Sequence, residues 1–494
     1  MKKRLFLNLI LSVSLLGGLA SCGESSGNTS NANTSSGGST EDITINFWHT
    51  FGQGIVEEFQ SKAEDFKALV KQEEGVDINF IDPSKTYQGS YDDIKNKVTK
   101  SFATGTTPDI AIAYPDHVAE YLSLEETKGE YVVNLDTYIN DPEIGLGKES
   151  AYGDDKGVDD LVTSFYEEGQ KYAYEGTYSF PLMKSTEVMF YNVEAVSTAL
   201  KIYDESINTQ NKVKEFMNNV TWDELFEVAK VAKENKSQVM SSMETPIVYD
   251  SDSNLFISKM LQNDIPFISV DQTTGKGRID FESGENRAKA EAMVTEFKNY
   301  HDQGLLTTKG TIGTYGSDSF KEGKCIITVG SSGGTGYNAP TGGSFTVGVC
   351  KVPASNNNPL YVSQGPTMVL LKNRSNPKVT EYAWKFMKYL TSTQNNVDLC
   401  IYGSQGYVPV RKSSYDTEDY LEYMQEGEIY ADSARVVKED INGRYLSTAV
   451  FKGSAVVRDE VGGIITQVLT GSRTVSGAFD YAIQQSKLAM EEDL

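Results

Sequence analysis

The side chains best suited to chemistry are a serine turn, one arginine and a scatter of carboxylates. Gly330-Ser331-Ser332-Gly333-Gly334 matches the G-x-S-x-G nucleophile-elbow pattern and follows Lys324 to Val329, an apolar run that reads as a buried strand. A hydrolase of that type needs a later histidine to activate its serine, and none follows His301. The residues after the turn, TGYNAPTGG, also do not open the helix an elbow requires. Two readings remain: a turn whose free amides and hydroxyls cradle an anion, or a purely structural turn. Arg458 carries a planar fork that can bond two phosphate or carboxylate oxygens at once. Such charge-assisted bonds contribute roughly 1.5–3 kcal/mol each. Its structural alternative is a surface pair with Asp459 or Glu460.

Other constellations are weaker. His49, His117 and His301 are dispersed without metal-ligand spacing. Asp250-Ser251-Asp252-Ser253-Asn254 begins like a calcium loop, but position six is Leu255 instead of glycine and position twelve is Leu261 instead of glutamate. No pair of carboxylates is singled out for glycoside hydrolysis. The sequence therefore signals no catalytic residue, no metal site and no cofactor. Trp48, Trp222 and Trp384 fall at a strand end, a helix start and a helix face, so ring stacking on a ligand falls to Tyr91, Tyr114, Tyr337 or Tyr407.

The ends and the charge set the setting. Lys2, Lys3 and Arg4 precede an apolar stretch from Leu5 to Leu19 that is broken by Asn8, Ser12 and Ser14. It is too short and broken to span a bilayer and has the layout of a secretory signal over residues 1–21. The signal ends in Leu19-Ala20-Ser21-Cys22, which resembles a bacterial lipobox with Cys22 as the lipidated residue. Residues 22–40 follow with no large apolar side chain, a flexible tether that cannot offset its ordering entropy. Cys325, Cys350 and Cys400 remain, an odd number without CxxC spacing, so buried free thiols are favoured over a disulfide framework. The net charge of −24 repels nucleic acid, and it requires a specific local cation for any anionic ligand.

The apolar pattern along the chain sets the positioning elements. Ile43, Ile45 and Phe47 alternate as a half-buried strand, and Val56, Phe59, Ala63, Phe66 and Val70 place a helix over it. Strands at Asp77–Phe80 and Ile110–Ala113 flank a helix from Tyr91 to Phe102, the rhythm of an α/β lobe with a mostly parallel sheet. Residues 140–178 read as irregular. Thr186–Asn192 is a strand, Thr221-Trp222-Asp223-Glu224 a capping box, and Val379–Leu390 an amphipathic helix. The roughly 450 residues after the tether exceed one compact core.

These segments, in this order, resemble the extracellular solute-binding proteins of ABC importers, the group with the maltose- and glycerol-phosphate-binding proteins. The resemblance is carried by INFWHTF (45–51), FATGTTPDI (102–110), SFPLMKSTEVMFYN (179–192), TWDEL (221–225), FKEGKCIITVGSSG (320–333), GPTMVLLKNRSNPKVTEYAWKFMKYLTS (365–392), GYVPVRKS (406–413) and VVRDEVGGIITQVLTG (456–471). It implies an α/β, two-lobe periplasmic-binding-protein fold (type II) with a hinge and a central ligand cleft. One lobe would hold 41–185 plus 367–405, the other 186–366 plus 406–494. The glycerol-3-phosphate branch implies ligand contacts at Tyr91, Asp116, Ser185, Ser331, Ser332, Gly365, Tyr407 and Arg458. Pro115 stands at the exact counterpart of the acidic contact to a glycerol hydroxyl, a departure from the family pattern with Asp116 next to it.

The resemblance implies a protein held by its lipid on the extracytoplasmic face of a bacterial cell membrane, working as a monomer with no nucleic-acid partner. It would pass a sugar or glycerol-3-phosphate-type solute to ABC permease subunits. The rival from another class is a secreted carbohydrate-active hydrolase, and a purely adhesive lipoprotein is a third option.

Overall fold

In the computed structural model of the chain, residues 43–124, 130–148, 150–154, 156–271, 274–355, 358–404, 406–425, 429–440 and 445–491 are described. The signal stretch 1–21, Cys22, the tether 22–40 and the expected boundary at residue 405 lie outside them. No helix among the described residues is long and apolar enough to cross a membrane.

The first strand is split. Asn46 turns its carbonyl to the amides of Asp109 and Ile110, at 2.9 and 3.2 Å, and its own amide donates to Asp109 Oδ2 at 2.8 Å. This separates β1 (Ile43–Ile45) from β2 (Phe47–Trp48), so β1 pairs in parallel with β3 (Ile78–Phe80) and β2 with β4 (Ile110–Ala113). The chain then adds β5 (Phe180–Pro181), leaves for a second sheet, and returns much later as β14 (Thr367–Leu370). The first sheet has the order β2-β4-β14-β5, with β14 antiparallel to both neighbours. The mostly parallel lobe expected from the sequence is thus a mixed sheet. Its middle strand re-enters from the hinge end instead of arriving by a helical crossover, which reverses its direction.

The second sheet is built from β6 (Glu187–Asn192), β7 (Ile247–Tyr249), β10 (Leu306–Thr308), β11 (Ile327–Ser331) and β12 (Val347–Cys350), ordered β10-β7-β11-β6-β12. Short pairs complete the strands: β8 (Ile268–Val270) with β9 (Gly277–Ile279), and β13 (Tyr361–Val362) with β15 (Tyr445–Leu446).

Helices cover both sheets because their apolar residues recur on one face. On the first side lie α1 (Gln53–Glu74), α2 (Tyr91–Thr104) and α3 (Pro115–Ser123). On the second side α4 (Val193–Tyr203), α5 (Trp222–Glu234), α6 (Asp252–Gln262) and α7 (Gly284–Asp302) follow. Then α8 (Pro377–Leu390) closes the first core, and α9 (Ser454–Leu469) and α10 (Val475–Glu491) close the second. Phe386 of α8 meets Phe59, Phe66 and Phe80 with ring centroids 5.4, 5.1 and 4.6 Å apart. The capping box opening α5 is present, with Glu224 Oε2 accepting from the Thr221 amide at 2.9 Å. Caps of this kind contribute about 1 kcal/mol. Ser90 and Asp93 form a second box at the start of α2, which fixes where Tyr91 enters its helix. Cys325, Cys350 and Cys400 are buried free thiols, as the sequence favoured.

Three stretches of the chain run side by side where the two sides meet. Ser185 and Gln364 exchange backbone hydrogen bonds of 2.9 Å, and Lys184 and Val408 exchange bonds of 3.0 and 2.8 Å. Beyond these, residues 410–413 still bond to the first side, Val410 to Asn396 at 2.7 Å and Ser413 to Asp160 at 3.0 Å. The helix Ile429–Asp440 then packs against β12 of the second sheet.

Candidate functional site

A narrow cleft of about 60 Å³ opens where the two sides meet. Tyr114, Pro115, Asp116 and Glu168 line it from the first side. Ser363, Gln364, Ser447, Thr448 and Arg458 line it from the hinge and the second side. Its position follows from local structure. Tyr114 follows the buried strand β4 and caps α3, whose first-turn Pro115 and Asp116 therefore sit at the strand's carboxyl end. Arg458 lies in the first turns of α9, which starts at Gly453 in the left-handed region (φ +86). Helices α3 and α9 pack against each other beside the cleft, which brings Asp116 and Arg458 to one space.

Of the sequence-predicted residues, Tyr114, Asp116 and Arg458 line this cleft. Pro115 lines it too, so the substituted position and its acidic neighbour both face the space. Tyr91 reaches it through Tyr114, on which it stacks with ring centroids 3.9 Å apart and planes 14° apart. Burial drives the Tyr91 hydroxyl pKa well up, and the nearby Tyr114 and Tyr407 add to the rise. Tyr407 lies over the glycine turn: a Cβ added at Gly333 would come within 2.5 Å of its ring. Burial pushes the Tyr407 hydroxyl up to about 12. All three phenols are therefore neutral and serve as hydrogen-bonding, stacking surfaces.

The serines occupy the hinge. Ser331 Oγ donates to Ser185 Oγ at 3.3 Å and accepts from the Gly333 amide at 3.2 Å. Ser332 is fully buried, its amide donates to Thr186 O at 2.8 Å, and its hydroxyl has no partner within the protein. A 3₁₀ turn, Ser332–Asn338, follows where the sequence excluded the helix of an elbow. Gly365 holds φ +107 against Met183 and Lys184, a backbone state and a closeness that suit glycine alone. Cys22 lies outside the described residues.

Behind Arg458 stands a buried polar chain. Arg458 donates to Asn254 Oδ1, and the Asn254 amide donates to Glu187 Oε1 at 3.1 Å. Tyr249 donates to Glu187 Oε2 at 2.6 Å. Burial lifts the Glu187 carboxyl to about 7, while Tyr249, Asn254 and the positive Arg458 pull it back. The rejected calcium-like run is spent on structure: Asp250 accepts from the Gly316 amide, and Asp252 from Thr308, Gly310 and Thr466. His49 is likewise structural, between Pro83 O and the Phe51 amide, and burial lowers its pKa.

Sequence reasoning missed Glu168, Gln364, Asn254 and Glu187. Glu187 carried a signal, being the one acid in the apolar run TEVMFYN. Glu168 came from the stretch that reads as irregular, and nothing local marked it.

Comparison with known proteins agrees with this architecture. A family model described as "Bacterial extracellular solute-binding protein" matches residues 64–425. No curated protein matches the sequence. Among solved structures, the GacH receptor of Streptomyces glaucescens, known unliganded and with acarbose, is similar at 18% identity and a TM-score of 0.64, covering 92% of this chain and 100% of its own. UgpB from Mycobacterium tuberculosis, in complex with glycerophosphocholine, is similar at 15% identity and a TM-score of 0.64, covering 91% and 98%. An ABC substrate-binding protein of Listeria monocytogenes in complex with cycloalternan is similar at 16% identity and a TM-score of 0.66, covering 92% and 100%.

Proposed function

Because this chain belongs to the family of bacterial extracellular solute-binding proteins, we propose that it captures a small carbohydrate between its two lobes by hinge closure and delivers it to an ABC permease. The observation that carries the sugar reading is the composition of the cleft. Two carboxylates, Asp116 and Glu168, face it from the first side and one guanidinium, Arg458, from the second, beside the Tyr91–Tyr114 stack. Hydroxyls donate to carboxylates and accept from a guanidinium, while a sugar ring offers an apolar face to a phenol. Arg458 is already bonded to Asn254, with the acidic Glu187 behind it, so the cleft presents little net positive charge to an anion. A concave space between two lobes with a few convergent polar groups suits a small ligand.

A second reading, a glycerol-3-phosphate-like solute, is favoured by the place of Arg458 on the cleft wall. A hydrolase is not favoured, since the Ser332 hydroxyl is sealed from solvent. The two sheets are the cores of the proposed lobes, with crossings near 185/186 and 366/367. We put the third, expected near 405, between Ser413 and Ile429, after the last bonds to the first side. Anchoring through Cys22 and a monomeric state belong to the same proposal.

Calorimetry and thermal shift on protein starting at Glu41 test it, with maltose, glucose and sn-glycerol-3-phosphate as probes. Micromolar binding of a sugar that is recovered chemically unchanged supports the reading, and corresponds to about 8 kcal/mol. Binding of the phosphate alone would move the conclusion to the second reading. Conversion of a sugar would sink the binding role.

A further inference from the structure

We infer that Glu168 is a specificity-determining contact of the cleft, accepting a ligand hydroxyl at the hinge, with Lys184 as the positioning residue that holds its carboxylate there. This deepens the proposed solute site and rests on that reading.

Glu168 opens the short 3₁₀ segment Glu168–Gln170 after the helix Thr163–Glu167. It is only 4% exposed, yet it lines the cleft together with Asp116, Gln364 and Arg458. Lys184, 1% exposed, places Nζ 2.5 Å from Glu168 Oε2 and 5.7 Å from the centre of the Phe165 ring. A buried carboxylate keeps its charge when a cation and hydrogen bonds replace its lost water. A pair with only a structural task gains from being sealed on every side; this one opens on the cleft. With Oε2 engaged by the ammonium, Oε1 is the oxygen left to take a donor from the cleft.

A second acceptor lies nearby. Gln364 Oε1 is buried and has no hydrogen-bond partner within the protein, and Gln364 lines the same space. A buried acceptor without a protein donor, beside a carboxylate that opens on the same space, calls for a ligand that brings donors. Neighbouring hydroxyls of a neutral polyol do so, whereas phosphate oxygens would face the Glu168 charge. The contact also lands on the moving part. Lys184 exchanges backbone bonds with Val408, and its neighbour Ser185 does so with Gln364. A ligand bridging Glu168 and Gln364 therefore ties two of the three crossings together.

The test measures affinities of maltose, glucose and sn-glycerol-3-phosphate for the wild type and Glu168→Gln by calorimetry. The wild type is expected to bind a sugar, and Glu168→Gln to bind it about ten-fold or more weakly. Its preference for that sugar over sn-glycerol-3-phosphate falls in parallel, a change that a merely structural role does not produce. If Glu168→Gln is unfolded by circular dichroism, the double variant Glu168→Gln/Lys184→Met, which removes both buried charges, takes its place with the same expectation. A wild type that binds a sugar with a variant that binds it equally well overturns this inference and leaves the solute reading standing. A wild type that binds only the phosphate also overturns it. A wild type that takes none of the three removes the solute reading, and this inference with it.

Discussion

Arg458 reaches the cleft from an anchored position: its guanidinium donates to Asn254, whose amide donates in turn to Glu187 at 3.1 Å. The arginine therefore faces the ligand with its geometry set in advance, which lowers the entropy lost on binding. Arg458→Ala is expected to weaken ligand binding by about 10- to 100-fold, the loss of one charge-assisted bond or more. Arg458→Lys should recover little, because an ammonium lacks the planar fork. Calorimetry on the best-binding probe decides, and an unchanged affinity would remove Arg458 from the site.

Glu187 gives the stability of the fold a pH dependence. Burial raises its folded pKa to about 7 from an ordinary 4.5, so the folded state holds the proton more tightly than the unfolded one. Stability contributed at this position is highest below the unfolded pKa and declines as pH rises through about 7. The whole span is worth about 3 kcal/mol. Urea unfolding at pH 5 and pH 8 should show a smaller difference in Glu187→Gln than in the wild type. An equal difference would mean that Glu187 titrates normally.

Gly365 is the hinge position least open to change. A Cβ there would lie 2.5 Å from Met183 O and 2.8 Å from Lys184 Cα, on a backbone at φ +107. Gly365→Ala should cost about 2 kcal/mol or more in unfolding free energy. Gly75→Ala, at φ +70 with open space around it, is the control and should cost only about 1 kcal/mol. Equal losses in the two variants would show that crowding at the hinge adds nothing.

The N-terminal reading has its own test. Cys22→Ser in the full-length chain should shift the protein from the membrane fraction to the soluble one, because the proposed acyl chains hold it there at about 0.8 kcal/mol per buried methylene. Unaltered membrane retention would refute the anchor.

Several features were legible because their causes are local. Periodic apolar residues gave the helices over Phe59–Val70 and Ala383–Leu390, and Thr221 with Glu224 marked the start of α5. The order of short motifs pointed to the solute-binding family, which the match over residues 64–425 bears out. Motif position within the resemblance made Arg458 the candidate for an anionic ligand, and the structure places it on the cleft wall.

Tertiary structure alone decided the rest. The split at Asn46 depends on Asp109, 63 residues away, and the reversed middle strand β14 depends on where the chain returns from the hinge. Glu168 becomes a cleft residue only when Lys184 and the hinge close around it, and Glu187 meets Arg458 only through Asn254. Local propensities act within a turn or two of chain, whereas these pairings are set by long-range burial and by the need to satisfy each buried polar group. Their partners lie far apart in sequence, and no pattern along the chain records them.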